Sequence, residues 1–243
     1  MSGKKCIFAP QKTNKNNTIV KTKYLALALG AMLFCGGATA QWTVGVSGGW
    51  TSTTISRYDG GRMDEAYSAL GGFEAGVQGS YTFNSWLAVR ATLSFMQRSH
   101  RMDRNLNYLD PVLTEHINSY LMLPVVADFS FGGEQLRGHM LAGGYGGYWL
   151  GERRMGKTFW MTDYYVYFED FDERREFTGE DARLNAGVAF GAGLSYSIDD
   201  KREVGLYAMY YYDLTSHHKG SPHLADPRYL NTLSIGLTVN YKL

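Results

Sequence analysis

Residues 231–243 read NTLSIGLTVNYKL. Leu233, Ile235, Leu237, Val239, Tyr241 and Leu243 are apolar, and Ser234, Gly236, Thr238, Asn240 and Lys242 between them are small or polar. Strict alternation over that length predicts a strand with one oily and one wet face. The strand runs to Leu243, so no later residue is expected to cover the oily face, and lipid is the expected cover.

Working back from this strand, seven more alternating segments stand near 42–55, 70–83, 86–99, 118–132, 136–150, 182–198 and 203–215. Three connections are tight, at Asn84-Ser85, Gly133-Glu134-Gln135 and 199–202. Four are long, near 56–69, 100–117, 151–181 and 216–230, and short and long alternate along the chain. Outer-membrane barrels have this pattern of periplasmic turns and extracellular loops. The apolar parity holds within strands. Trp42, Val44, Val46 and Trp50 oppose Thr43, Gly45, Ser47 and Gly49, and Leu121, Leu123, Val125, Phe129 and Phe131 oppose Tyr120, Met122, Asp128 and Ser130. Strands of a soluble sandwich run about 5–6 residues; these run 13 to 17. The predicted fold is all-β: an eight-stranded antiparallel up-and-down transmembrane β-barrel over 41–243. A soluble lipocalin-like barrel would carry the faces reversed. Pro124 falls mid-strand, where it removes a ladder donor.

The other end of the chain fits export. Six lysines and no acid precede an apolar run over 24–34, and Ala38-Thr39-Ala40 follows. That is the order of a secretory signal peptide over 1–40, with cleavage expected between Ala40 and Gln41. The apolar run is shorter than the ~20 residues of a spanning helix. Phe34 before Cys35 disfavours a lipoprotein signal. Removing six lysines from 24 Lys+Arg leaves 18 against 23 Asp+Glu, a net charge near −5, and both cysteines leave with the signal. The mature chain thus has no thiol or disulfide chemistry and no basic patch for nucleic acid.

The segment 118–124 (NSYLMLP) resembles the Tyr-Leu-x-x-Pro strand of the PorT-like outer-membrane β-barrel proteins. Residues 187–196 (GVAFGAGLSY) are similar to that family's Gly-rich sixth strand, and 212–215 (YDLT) to the end of its seventh. The resemblance covers the mature chain and implies an eight-stranded barrel. In some members it implies a part in protein secretion across the outer membrane. Ser234, Gly236, Val239 and Tyr241 also resemble the C-terminal signal read by the barrel-assembly machinery, although this chain ends two residues later, on Lys242-Leu243.

Inward parity places Glu74, Arg90, Asp128 and Arg137 toward the lumen, with His139 close behind. An eight-stranded barrel is just wide enough for side chains to fill it, and buried charges need partners. A lumenal salt-bridge plug is therefore expected, with a narrow polar conduit as the alternative. His217, His218 and His223, near Asp213 and Asp226, suggest solvated loop histidines before a metal site, and Ser216, His217 and Asp213 are the sole hydrolase candidates at the rim. Without an orienting third group, no enzyme activity, catalytic residue, metal or cofactor is expected. Trp160, Tyr164, Tyr165, Tyr167 and Phe168 interleave with Asp163, Glu169, Asp170, Asp172, Glu173 and Glu176. This loop reads as a hairpin above the membrane, or as a contact surface for a protein or glycan. Arg98, Arg101 and Arg104 are candidates for lipopolysaccharide phosphates.

The expected role is a non-catalytic outer-membrane protein acting through loops and wall, an envelope or protein-secretion-associated factor; the alternative is a small porin-like channel. Expected partners are outer-membrane lipid and lipopolysaccharide, the barrel-assembly machinery and secretion-complex proteins.

Overall fold

The computed structural model describes residues 41–57, 65–104, 112–161, 165–179, 181–216 and 228–243. Ten strands follow in order: β1 (Gln41–Arg57), β2 (Glu65–Asn84), β3 (Leu87–Gln97), β4 (His100–Arg104), β5 (Val112–Gly132), β6 (Leu136–Met161), β7 (Val166–Arg174), β8 (Leu184–Ser197), β9 (Arg202–Asp213) and β10 (Arg228–Lys242). Each pairs antiparallel with its neighbours. β10 returns to β1 from Thr43↔Lys242 to Arg57↔Arg228 and closes the ring. β4 continues the line of β3 between the same two neighbours, and β7 pairs with the outer end of β6 on the edge that β8 takes lower down. The barrel therefore has eight staves.

Local chemistry sets the short turns. Asn84 Oδ1 accepts from the amides of Trp86 (3.1 Å) and Leu87 (2.8 Å), and Asp199 Oδ1 from those of Lys201 (2.9 Å) and Arg202 (2.6 Å). Such side-chain turns fold the chain back without help from packing. At the third, Gly132 has φ +119°, a conformation that favours glycine.

The faces are inverted relative to a soluble protein. On β10, Leu237 is 65% exposed on the outer wall while Ser234 is fully buried in the lumen. Trp42, Val46, Trp50, Phe73, Val77, Phe190, Leu206 and Val239 share the exposed outer face, as lipid contact requires. Aromatic pairs lie toward its periplasmic edge, with Trp42 and Tyr81 at 4.9 Å and Trp86 stacked on Phe129 at 6.1 Å. Above Trp50, Phe95, Leu121 and Leu150, the residues turned outward become polar: Ser52, Gln97, Ser119 and Arg153.

The strands rise well past that line. β5 has 21 residues and β6 has 26, against the ~9–11 that cross a bilayer. Much of what the sequence suggested as long loops is thus strand: β4 lies inside 100–117, and β7 and the end of β6 inside 151–181. Above the membrane neither face has to be oily, so hydropathy alternation lapses while backbone pairing continues. Pro124 breaks the ladder on one side only. β5 pairs with β6 through Pro124↔Tyr145, but its ladder with β3 is interrupted between Ala91↔Val125 and Ser94↔Met122, with the register unchanged across the gap.

Candidate functional site

The lumen is filled by four stacked polar and aromatic layers. The one nearest the periplasmic turns joins β3, β5, β6 and β8. Arg90 pairs with Asp128; His139 Nδ1 lies 2.8 Å from Asp128 Oδ1, and its Nε2 lies 2.8 Å from Ser195 Oγ. The carboxylate only accepts, so Nδ1 donates to it, and Nε2 shares its hydrogen bond with the Ser195 hydroxyl. Next, Glu74 on β2 accepts from Ser234 Oγ (2.5 Å) and Tyr207 OH (3.5 Å). A cation was expected beside Glu74; hydroxyls hold it instead.

The third layer centres on Arg98. The β3 strand ends at Gln97, and the Arg98 amide donates to Asn118 O (2.8 Å) at an irregular step before β4. The step keeps Arg98 on the inward parity of Arg90, Thr92, Ser94 and Met96. Its Nη2 meets Asp213 Oδ1 at 2.8 Å, and both side chains are 0% exposed. Nε donates to Thr232 Oγ1 (2.8 Å) and Nη2 to Leu230 O. The guanidinium carbon lies 5.4 Å from the Tyr120 ring and 5.9 Å from that of Tyr145, whose hydroxyl donates to Asp213. Such cation–π contacts strengthen where water is excluded.

The fourth layer lies above the apolar wall. Glu152 is its hub, 2.7 Å from His116 Nδ1, 2.7 Å from Arg154 Nε and 3.1 Å from Arg175 Nη1. Burial alone would raise this carboxyl, but its hydrogen bonds to His116 and Arg154 prevail and hold it down at about 2. Arg175 also reaches Asp181 at 2.7 Å, and Phe177 packs edge-on to Trp149 at 4.9 Å. Arg183 lies over both Phe177 and Tyr148, at 4.4 and 4.6 Å. These contacts strap the β7–β8 connection across the outer mouth. His100 stacks on His116 with ring centres 4.7 Å apart.

Cavities between the layers are small, about 30 Å³ beside Glu74 and Pro124 and about 10 Å³ beside His139 and Ser195. The Asp128–His139–Ser195 chain has the connectivity of a nucleophilic triad. Its hollow of about 10 Å³ is smaller than an ester group, and Arg90 neutralises the carboxylate. The arrangement holds a proton and leaves no room for a substrate. Among the described residues no group of three or more His, Cys, Asp or Glu could hold a metal ion.

Of the expected lumen residues, Arg90 and Asp128 meet and Glu74 lies one layer above them. Arg137 stands apart at the periplasmic rim, its Nε donating to Gly133 O at 3.3 Å. Arg98 corrects the lipopolysaccharide reading, since the inward parity buries it. Arg101 is taken by Glu115 at 2.7 Å, and Arg104 pairs through its backbone with Glu65 and Val112. Asp213, a hydrolase candidate at the rim, is committed to Arg98. His217, His218, His223 and Asp226 lie outside the described residues, as do Tyr164 and Ala40. Gln41 opens β1, its amide donating to Leu243 O at 3.3 Å. Of the C-terminal signal, Ser234 holds Glu74, Val239 and Tyr241 face outward, and Gly236 faces Tyr207 across the ladder. In the outer hairpin Trp160 is opposite Tyr167 in register, and Tyr165, Tyr167 and Phe168 are exposed. His139 acting with Ser195 and Arg98 with Asp213 were missed as partnerships. Inward parity was the available signal for each.

A family model described as outer membrane protein beta-barrel domain matches residues 36–219. The chain belongs to that family. Membership places this barrel in the bacterial outer membrane. No curated protein sequence matches the chain. Among solved structures it is similar to Ail, the attachment invasion locus protein of Yersinia pestis, at 18% identity over 82% of this chain and 97% of Ail, with a TM-score of 0.37. It is also similar to OprG from Pseudomonas aeruginosa, at 10% identity over 86% and 98%, with a TM-score of 0.46.

Proposed function

We propose that this barrel neither conducts nor catalyses, and works through its outer surface and wall as an envelope or protein-secretion-associated factor. The resemblance of 118–124 to the PorT-like strand is in keeping with that role. The observation that carries the reading is the Arg98–Asp213 pair, fully buried across the lumen between Tyr120 and Tyr145. A hydrated ion would have to displace a buried charge pair, and removing one partner from such a pair costs about 3–5 kcal/mol. In this reading residues 1–40 are a secretory signal removed after Ala40. Lipopolysaccharide surrounds the outer half of the wall, and the barrel-assembly machinery reads 234–241. The test is recording from the purified barrel in planar bilayers. Silence is expected at all voltages the bilayer withstands; a stable, ion-selective conductance overturns the proposal in favour of a channel.

A further inference from the structure

Above β8, on the same edge of β6, β7 adds to β6 from Arg153↔Arg174 to Met161↔Val166 without a break in register. Among the described residues nothing pairs with its other edge. In an antiparallel pair every second residue turns its N–H and C=O away from the partner, so the nine residues of β7 present a row of unpaired peptide groups to the outside. Proteins usually blunt such an edge with charged side chains, proline, a bulge or a covering segment. The β7 sequence, VYFEDFDER, has no proline and its register has no bulge; its guard is charge, four acids to one base, which repels another acidic strand and leaves the edge open to a basic one.

Its side chains say what would fit. Within β7, Glu169, Asp170, Asp172 and Glu173 outnumber the one cation Arg174; across the hairpin Lys157 stands opposite Asp170 and Arg154 opposite Glu173, on the side away from the free edge. Asp172 is engaged by Arg153 across the hairpin, while Glu169, Asp170 and Glu173 remain exposed. Tyr167 (56% exposed) and Phe168 (46%) project from opposite faces, so an added strand meets an aromatic surface on either side. Edge pairing supplies affinity through the main chain, and alternate side chains supply selectivity. A second copy would bring the same acidic edge, and like charges on paired strands repel.

The geometry points to the free edge of β7 as a docking site for an extended, basic polypeptide segment of another protein, added to the hairpin as a further strand. This rests on the proposed function above, that the barrel acts through its outer surface, and names the chemistry of the partner.

The test uses the full barrel in lipid nanodiscs with three nine-residue probes: an alternating Lys-Val peptide, an alternating Glu-Val peptide, and the Lys-Val peptide N-methylated at every residue. At saturation the first is expected to slow hydrogen exchange of β7 amides by about tenfold, and the other two to leave it unchanged. Glu169→Lys with Asp170→Lys should weaken the Lys-Val peptide about tenfold, from two reversed cross-strand charges, without altering the barrel's heat-dependent gel mobility. Unprotected β7 amides overturn the proposal. So does equal binding by the N-methylated peptide, which would show attraction by charge alone. Bilayer recording on the same preparation separates the two readings. A conducting barrel removes the proposed function whatever the peptides do, and a silent barrel with unprotected β7 removes the docking edge alone.

Discussion

Replacing Arg98 with methionine keeps most of the side-chain volume and deletes the charge. Asp213 then keeps the Tyr145 hydroxyl and the Leu230 amide (3.3 Å) but loses the guanidinium that faces it in a fully buried setting. Breaking a buried pair from one side costs about 3–5 kcal/mol, whereas replacing both charges by packed apolar groups is often neutral or stabilising. Arg98→Met should therefore destabilise the barrel by about 3–5 kcal/mol. Arg98→Met with Asp213→Leu should recover most of that, less about 1–3 kcal/mol for the Tyr145 hydroxyl left without an acceptor. The assay is urea unfolding from lipid vesicles, followed by tryptophan emission and by gel mobility. Trp149 stacks on Tyr120 at 6.1 Å, and Tyr120 lies against Arg98, so emission reports on this layer. A loss under ~1 kcal/mol in the single variant would refute the reasoning, because a pair that cheap to break is not closed to water. A double variant as unstable as the sum of both singles would refute it too, by showing that the charges act independently.

Acid should act on the outer mouth. The Glu152 carboxyl is held at about 2 against an ordinary 4.5, so its contribution of about 3 kcal/mol is fully present above pH ~4.5 and disappears as pH falls toward 2. Urea midpoints at pH 7, 5 and 3 should show this loss, and Glu152→Gln should flatten the acid limb; an unchanged limb in that variant places the acid sensitivity elsewhere. At the closing seam, a Cβ on Gly236 would lie 2.8 Å from Gly49 Cα and 2.7 Å from the Tyr207 hydroxyl, besides meeting Gly48 O. Gly236→Val should then slow or abolish barrel closure, read as loss of the heat-modifiable gel band on refolding into detergent; refolding at the native rate would show that β1 and β10 have slack at this point.

The staves were legible wherever lipid enforces an oily face. β10, β3 and β8 carry the alternation, and their bounds differ from the expected ones by three residues or fewer at each end. β4 was not legible, since HRMDR has polar or charged residues on both faces, and only the backbone ladder makes it a strand. β7 was legible as part of a hairpin above the membrane but not in its bounds, because VYFEDFDER is charged on both faces too. Inward parity likewise gave the lumen faces but not the partners across the lumen. Arg98 follows Arg90 by four inward steps, and Asp213 shares its face with Tyr207, yet nothing in one dimension says that β3 and β9 meet. The contact depends on strand tilt and stagger, which closure sets for the whole ring at once.

Pro124 shows how wall and plug are connected. An open sheet hides a proline at an edge; a closed ring has no edge. Here the proline keeps its place in the β5–β6 ladder, and the β3–β5 ladder drops two pairings beside it while holding its register. The loss is about one ladder bond, ~1 kcal/mol net. Pro124 also lines the hollow of about 30 Å³ between the Glu74 and Arg90 layers, so the interrupted stretch of wall backs onto a gap in the filling. Above that hollow the Arg98–Asp213 pair spans from β3 to β9, and below it the Arg90–Asp128–His139–Ser195 chain spans from β3 to β8. The upper pair ties strands that share no ladder, whereas each link of the lower chain joins ladder neighbours, β3 to β5, β5 to β6 and β6 to β8. The upper pair thus acts as a cross-brace above the gap in the β3–β5 ladder, and the lower chain stitches three neighbouring ladders together beneath it, which gives buried charge in this lumen a structural reason independent of any transported solute.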